Sequence, residues 1–486
     1  MDLRKLAKHS SWYLIGSLAS RGVGMIMTPI YARYLSPAEY GSVELIELCT
    51  QVAVIALGIQ AIGGSLLRVY HDYEDSASQK AVASTAFLNT AAIGLLITVM
   101  AWFGAGMAGQ WLFGTNANTL WIRVAFVAMF VGNLAEVSLL YQRLKDRVAF
   151  VVIYSLVQLF ASVGLNIYFI VFNHAGVWGF ILSKLIVSLI GGGVLVVVLL
   201  SQTGIHWRRE PSHKLNSFGF PLLLTGLATF VIHFSDRFFL GRMASLQDVG
   251  IYSLAYKFGF LITYLVGEPF GRVWGVDVYK STSSPGWSRN VGRASLYLMF
   301  FLFFLGLGIS IFAPQIATVV GGNAYAAAAP LIPILVLAYI ARELGDVFRT
   351  LLYVNKRAYV VTMVTMGCAA LNATLNYVLI SRYGMIGAAW STLATWLAYM
   401  AWCWMSAGRE IRISTGPRAF VKIFCCAMIV FGLSRIGVAD NSMLTYARNF
   451  LLMGLFCAAV FASGYFPKDE RQALTAVITR RLARAT

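Results

Sequence analysis

Acidic residues are scarce in this chain: 20 Asp and Glu stand against 38 Lys and Arg in 486 residues, and charged residues of both signs make up only 12%. With 59% hydrophobic residues, so little charge cannot cover a soluble core, and the surrounding solvent must be lipid. The six cysteines (Cys49, Cys368, Cys403, Cys425, Cys426 and Cys457) fall inside apolar stretches without metal-binding spacing and read as packing residues. No metal site and no cofactor are expected. A glycine-rich phosphate loop is also lacking, which disfavours ATP-driven work by this chain alone. The loops expected outside are short and mostly uncharged. A membrane glycan polymerase, ligase or glycosyltransferase is disfavoured for that reason, since it would offer a large outer loop or an acidic cluster there.

What the sequence holds instead is a succession of long apolar runs. A hydrocarbon core about 30 Å thick needs roughly 20 helical residues. Spans are predicted at 11–35, 40–66, 80–104, 119–142, 147–172, 175–200, 217–240, 248–275, 289–313, 325–350, 357–380, 383–407, 418–436 and 446–466. The fold class is therefore all-α and polytopic, with about fourteen transmembrane helices. The first run has a basic lead-in like a signal peptide, but it is about 25 residues long, has no convincing cleavage site and is followed by further spans, so it reads as retained.

The net charge of +18 would suggest nucleic acid in a soluble protein. Here the cations sit in short loops between spans and alternate in sidedness. Twenty-five fall on the face that carries Arg4, Lys5 and Lys8, the even-numbered loops and the tail, whereas Arg33, Arg242, Arg382, Arg435 and Arg448 fall on the other. Both termini are expected to be cytoplasmic, and no nucleic-acid partner is expected.

Two landmarks recur. Ser36-Pro37-Ala38-Glu39-Tyr40-Gly41 returns as Ser245-Leu246-Gln247-Asp248-Val249-Gly250, and each reads as a capped helix start with a carboxylate at the third helical position. Leu165-Asn166 and Gly176 to Gly179 return as Leu375-Asn376 and Gly384 to Gly387 at nearly the same spacing. The pattern predicts two parallel six-helix lobes, 1–210 and 211–410, related by a pseudo-two-fold axis along the membrane normal, with residues 411–486 adding two helices and a tail.

Charges inside spans are costly, roughly 2.5 to 3.5 kcal/mol each at a helix centre, so they must face an interior. Arg21 shares a face with Ser17, Gly24 and Thr28; because small residues also let spans pack closely, it suits either a substrate-facing cation or an interhelical ion pair or cap. Lys257 lies on a polar face of span 8, eleven residues from Glu268. Glu268 and Arg272 are spaced for a local ion pair. On span 10, Arg342, Asp346 and Arg349 follow helical spacing beside Glu343, either as a self-neutralised ladder or as a carboxylate site that takes up a proton or Na⁺. The candidate cavity cations are Arg21, Arg123, Lys257 and Arg342; the candidate ion-coupling acids are Glu136, Asp236, Glu343 and Asp346. Lys184 either snorkels or joins the cavity, and Glu44 and Glu47 lie near the outer end of span 2.

The run Pro29 to Leu35 leading into Ser36 to Gly41, with Leu375 to Ile380 and Tyr383 to Ala389, resembles the polysaccharide transport branch of the multidrug/oligosaccharidyl-lipid/polysaccharide exporter superfamily. That resemblance implies an O-antigen or exopolysaccharide repeat-unit flippase of the bacterial inner membrane. Its cargo would be an undecaprenyl-diphosphate-linked oligosaccharide, moved by alternating access coupled to a cation gradient, with membrane lipids, a polysaccharide polymerase and a chain-length regulator as further partners. Lipid II flippases share the span plan and the anionic cargo. Drug/cation antiporters of the same superfamily usually have twelve spans, and a cavity rich in Arg and Lys would repel their cargo.

Overall fold

The computed structural model describes residues 27–56, 58–281, 287–407, 417–436, 443–467 and 471–472. Among them all regular elements are helices. The first, α1, occupies residues 27–34. It is followed by α2 (Pro37–Ala56), α3 (Ile59–Val69), α4 (Ser76–Phe113), α5 (Thr119–Leu144), α6 (Val148–Asn166), α7 (Gly176–Val187), α8 (Gly193–Thr203), α9 (Arg209–Met243) and α10 (Leu246–Ile262). The remainder are α11 (Glu268–Ser281), α12 (Trp287–Ile311), α13 (Ala313–Gly321), α14 (Leu331–Val354), α15 (Ala358–Ala407), α16 (Pro417–Ser434) and α17 (Met443–Ala462).

Nine helical stretches among the described residues are long and apolar enough to cross a membrane. The chain is an all-α polytopic membrane protein. Several expected spans are reshaped by backbone chemistry. The run predicted at 40–66 is broken at Gly58, whose φ of 72° suits glycine and ends one helix before the next begins. The runs at 357–380 and 383–407 form one long element broken at Gly384, φ 54°. In the run at 248–275, a π-helical turn over Thr263–Gly267 separates α10 from α11. α14 is long enough to span, but Arg342, Glu343, Asp346 and Arg349 interrupt its apolar character.

Contacts divide the chain into two compact units. The first runs to Ser253 and includes 320–324 and 373–385; the second takes up Leu254–Val319, Tyr325–Asn372 and everything from Ile386. In the first unit α4 packs along α5 and α3 along α9. Leu66, Val82, Ala86, Tyr141 and Leu199 form its core. Gly94 makes the α4–α5 approach possible, because a Cβ there would come within 2.8 Å of the Phe130 ring; small residues are what let helices approach closely in lipid. In the second unit α12 packs against α14 and α16, and α16 against α17.

The duplication is written into the backbone. At the start of α2 the Ser36 amide donates to Glu39 Oε2 at 2.9 Å and the Glu39 amide to Ser36 Oγ at 3.3 Å, a reciprocal cap. At the start of α10 the Asp248 amide donates to Ser245 Oγ at 3.1 Å, and that hydroxyl to Asp248 Oδ2 at 2.8 Å. Gly176 and Gly384 both take left-handed φ, 55° and 54°. A third repeated conformation joins them: Asp146 and Lys356 have φ of 55° and 58°, in turns where the Arg147 and Arg357 amides each reach back to a carbonyl five residues earlier.

The two capped starts also touch each other. A Cβ on Gly41 would overlap the Leu246 carbonyl oxygen, and a Cβ on Gly250 would overlap that of Pro37. Gly41 and Gly250 are 209 residues apart, as are Pro37 and Leu246. The contact is thus reciprocal, as at a two-fold axis. Tyr40 and Val249, which correspond at the same offset, are both fully buried beside it.

Because only backbone fits there, Gly41→Ala or Gly250→Ala is expected to cost about 1 to 3 kcal/mol by overpacking. Thermal unfolding in detergent checks this against Gly454→Ala, where the added methyl meets open space. Equal midpoints for all three variants would remove the contact from the forces that hold the fold.

Candidate functional site

Among the described residues, buried ion pairs collect in two places. The first, in the first unit, is sealed. Arg237 donates from Nη1 to Asp236 Oδ1 at 3.1 Å and to the His233 carbonyl at 3.0 Å, and from Nε to Ser253 Oγ at 3.2 Å. The Tyr252 hydroxyl donates to Asp236 Oδ2 at 2.6 Å. Asp236 and Arg237 are 1% and 3% exposed. Asp236 and Arg237 on α9 meet Tyr252 and Ser253 on α10 across the turn that joins the two helices, each partner lying 16 residues further along the chain.

The second cluster, in the second unit, lies against a cavity of about 350 Å³. Arg342 on α14 donates from Nη1 to Glu343 Oε1 at 2.7 Å and to Thr263 Oγ1 at 3.0 Å, while its Nη2 lies 3.8 Å from Asp346 Oδ2. The Thr263 hydroxyl donates to the same Glu343 oxygen at 2.7 Å. Asp346 is also held by Arg349 at 3.1 Å and by the Tyr399 hydroxyl at 2.9 Å. The Arg342 guanidinium lies 5.6 Å from the Trp396 ring centroid, which adds a cation–π contact.

The π turn creates the space for this arrangement. It brings Gly267 opposite Glu343, and a Cβ on Gly267 would overlap the Glu343 carboxylate. Such turns recur at functional sites because the widened coil frees backbone and re-aims side chains. Thr263, Arg342, Glu343, Asp346, Arg349 and Thr350 all face the cavity, together with Glu268 and Arg272, an ion pair at 3.7 Å. One cation thus serves two acids, and two further arginines stand within the same wall.

The other sequence-predicted residues are dispersed. Arg123 donates from Nε to the Trp102 carbonyl at 3.0 Å and lies over that indole at 5.3 Å. Glu136 is exposed and 3.7 Å from Arg143. Lys257 is exposed on α10. Lys184 reaches Glu47 at 3.3 Å, with both side chains half-exposed. Arg21 lies outside the described residues. Sequence reasoning missed Thr263, Tyr252 and Tyr399 as partners of the acids, because each comes from a different helical element than the acid it meets and spacing along one helix gives no signal for such a contact.

Residues 6–274 match the family described as polysaccharide biosynthesis protein. The chain belongs to that family. The succinoglycan biosynthesis transport protein ExoT of Rhizobium meliloti (strain 1021) is 22% identical over 269 residues, 55% of this chain and 52% of that protein. An uncharacterized membrane protein of Haemophilus influenzae (strain ATCC 51907 / DSM 11121 / KW20 / Rd) is 22% identical over 277 residues, 54% of this chain and 62% of its own. The chain thus spans about half the length of the first of these relatives. Among solved structures, the lipid II flippase MurJ in an inward closed conformation superposes with a TM-score of 0.75 at 13% identity, covering 93% of this chain and 99% of that one. An inward-facing multidrug resistance MATE transporter of the MOP superfamily gives 0.63 at 15% identity, covering 82% and 96%. The fold of this family member is the one those transporters share.

If Arg342 neutralises Glu343 as the distances indicate, Arg342→Gln leaves a buried carboxylate unpaired and costs about 3 to 5 kcal/mol. The double variant Arg342→Gln/Glu343→Gln should recover most of that loss, read as thermal stability in a double-mutant cycle. Additive losses would show that the two side chains do not depend on each other.

Proposed function

We propose that the protein moves an undecaprenyl-diphosphate-linked oligosaccharide repeat unit from the cytoplasmic to the periplasmic leaflet, by alternating access between two lobes coupled to H⁺ or Na⁺. Family membership and the transporter fold support transport in polysaccharide biosynthesis. The observation that carries the mechanism is the cavity-lining cluster in which Arg342 is shared between Glu343 and Asp346.

A diphosphate is a stronger partner for a guanidinium than a single carboxylate, because it offers more oxygens for paired, charge-assisted hydrogen bonds. Cargo that captures Arg342 leaves Glu343 with the Thr263 hydroxyl but without its cation. A buried carboxylate in that position is costly until a proton or Na⁺ replaces the lost charge. Departure of the cargo reverses the exchange. In this scheme Arg21, Arg123 and Lys257 supply further cations along the passage, and Glu343 with Asp346 takes the coupling ion. Asp346 keeps Arg349 throughout, so Glu343 is the acid that changes state. Glu136 remains a second candidate acid in the first unit.

A lipid II flippase is the second reading, favoured by the superposition on MurJ over 93% of the chain. The two part in the cell: deletion should abolish surface polysaccharide and leave peptidoglycan synthesis intact, whereas rescue of a depleted lipid II flippase would favour the second.

Arg21→Ala or Lys257→Ala should abolish surface glycan while protein abundance stays unchanged. Normal glycan in both variants removes these residues from the passage. In proteoliposomes, Glu343→Gln should leave cargo binding in place but remove the response of transport to an imposed H⁺ or Na⁺ gradient; an intact response would exclude Glu343 as the coupling acid.

A further inference from the structure

The cations expected on the loop face poor in charge are not equivalent. Arg448 donates to the Ile436 and Ser434 carbonyls at 2.9 and 3.2 Å. Arg435 lies 4.7 Å from the Phe431 ring centroid and reaches the Ser310 carbonyl at 3.4 Å. Both are spent on helix ends. Arg242, at the end of α9, is exposed, and its guanidinium has no hydrogen-bond or ion-pair partner among the described residues. It borders a cavity of about 570 Å³ together with Gln110, Trp111 and Asn116, and no acidic side chain lines that space.

Below the cavity, α4 carries a continuous apolar stripe. Leu96, Met100, Phe103, Met107 and Trp111 are each more than half exposed, and their spacing of three and four residues puts them on one helical face. Fifteen residues at 1.5 Å per residue extend roughly 22 Å, more than one leaflet's half of an about 30 Å hydrocarbon core. Trp111, the last residue of the stripe, lies 6.1 Å from Phe238 and lines the cavity together with Arg242.

We propose that this cavity seats the phosphate head of an anionic phospholipid, whose hydrocarbon chain lies along the α4 stripe. The guanidinium would donate to two phosphate oxygens, a geometry arginine favours, and the Gln110 and Asn116 amides would bond the polar groups beyond the phosphate. The cavity has the size of a small-molecule site. Its single uncompensated cation selects an anion, and the stripe selects one with a long apolar tail. The proposal does not depend on the cargo transported.

The test is native mass spectrometry of the full chain released from nanodiscs containing phosphatidylglycerol or phosphatidylcholine with the same chains. Wild type should retain one phosphatidylglycerol in preference to phosphatidylcholine. Arg242→Gln should weaken that retention about tenfold, and Trp111→Ala should weaken it as well. Arg382→Gln, which alters another exposed arginine away from this cavity, should not. Equal retention in wild type and Arg242→Gln, or equal retention of the two lipids, would overturn the proposal. So would complete displacement by millimolar inorganic phosphate, which would mark a site for free anions.

Discussion

An ionised side chain within a bilayer persists only where a counter-charge or water accompanies it. That constraint orders the charged groups here into two kinds. Asp236 and Arg237 pair with one another in a buried position, with Tyr252, Ser253 and the His233 carbonyl as further partners. The cluster around Arg342 is different, because one guanidinium divides itself between two carboxylates beside open space. Neutrality there depends on a shared group, and a competitor for that group alters the charge state of what it leaves behind.

The backbone repeats more faithfully than the charges do. Capped helix starts, the left-handed glycines at 176 and 384, and the turns at 146 and 356 recur at offsets of 208 to 210 residues. At the offset of the last pair, Asp346 corresponds to Glu136. Yet Asp346 is held by Arg342, Arg349 and Tyr399, whereas Glu136 is exposed and among the described residues pairs with Arg143 alone, at 3.7 Å. The copies have kept the helix geometry, and the ionised groups on it have diverged. Only the second unit carries the shared-cation arrangement among the described residues.

Most of the architecture was legible in the sequence, because hydropathy over 20 residues and the Ser-x-x-acid cap are local signals. The cap at Ser36 and the i, i+4 pair of Glu268 with Arg272 follow from spacing alone. The π turn at Thr263–Gly267 does not, since an apolar run has the same hydropathy whether it closes on the fourth or the fifth residue. That turn positions Thr263 and empties the volume at Gly267, so the site's most informative contacts stayed hidden. Pairing was also hidden. Spacing allows Arg342 to meet Asp346 one turn away, but its shortest bond goes directly to its chain neighbour Glu343, and a hydroxyl contributed 80 residues earlier bonds the same oxygen. Nor do Arg242, Arg435 and Arg448 differ in the sequence, where each is one cation in a short loop and the carbonyls that Arg435 and Arg448 meet are not visible.

The magnitudes bear on how such a fold could change state. Moving a two-state equilibrium from one part in a hundred to ninety-nine takes about 5.5 kcal/mol of differential interaction. Unpairing a single buried carboxylate costs about 3 to 5 kcal/mol, which is most of that amount. One guanidinium exchanged between Glu343 and a visiting anion is therefore of the right size to bias a conformational equilibrium without help from the sealed pair. The Gly41–Gly250 contact works against such a change. Backbone rests on backbone there and the buried side chains of Tyr40 and Val249 lie beside it, so parting those helix ends would also expose apolar surface that the exchange has to offset.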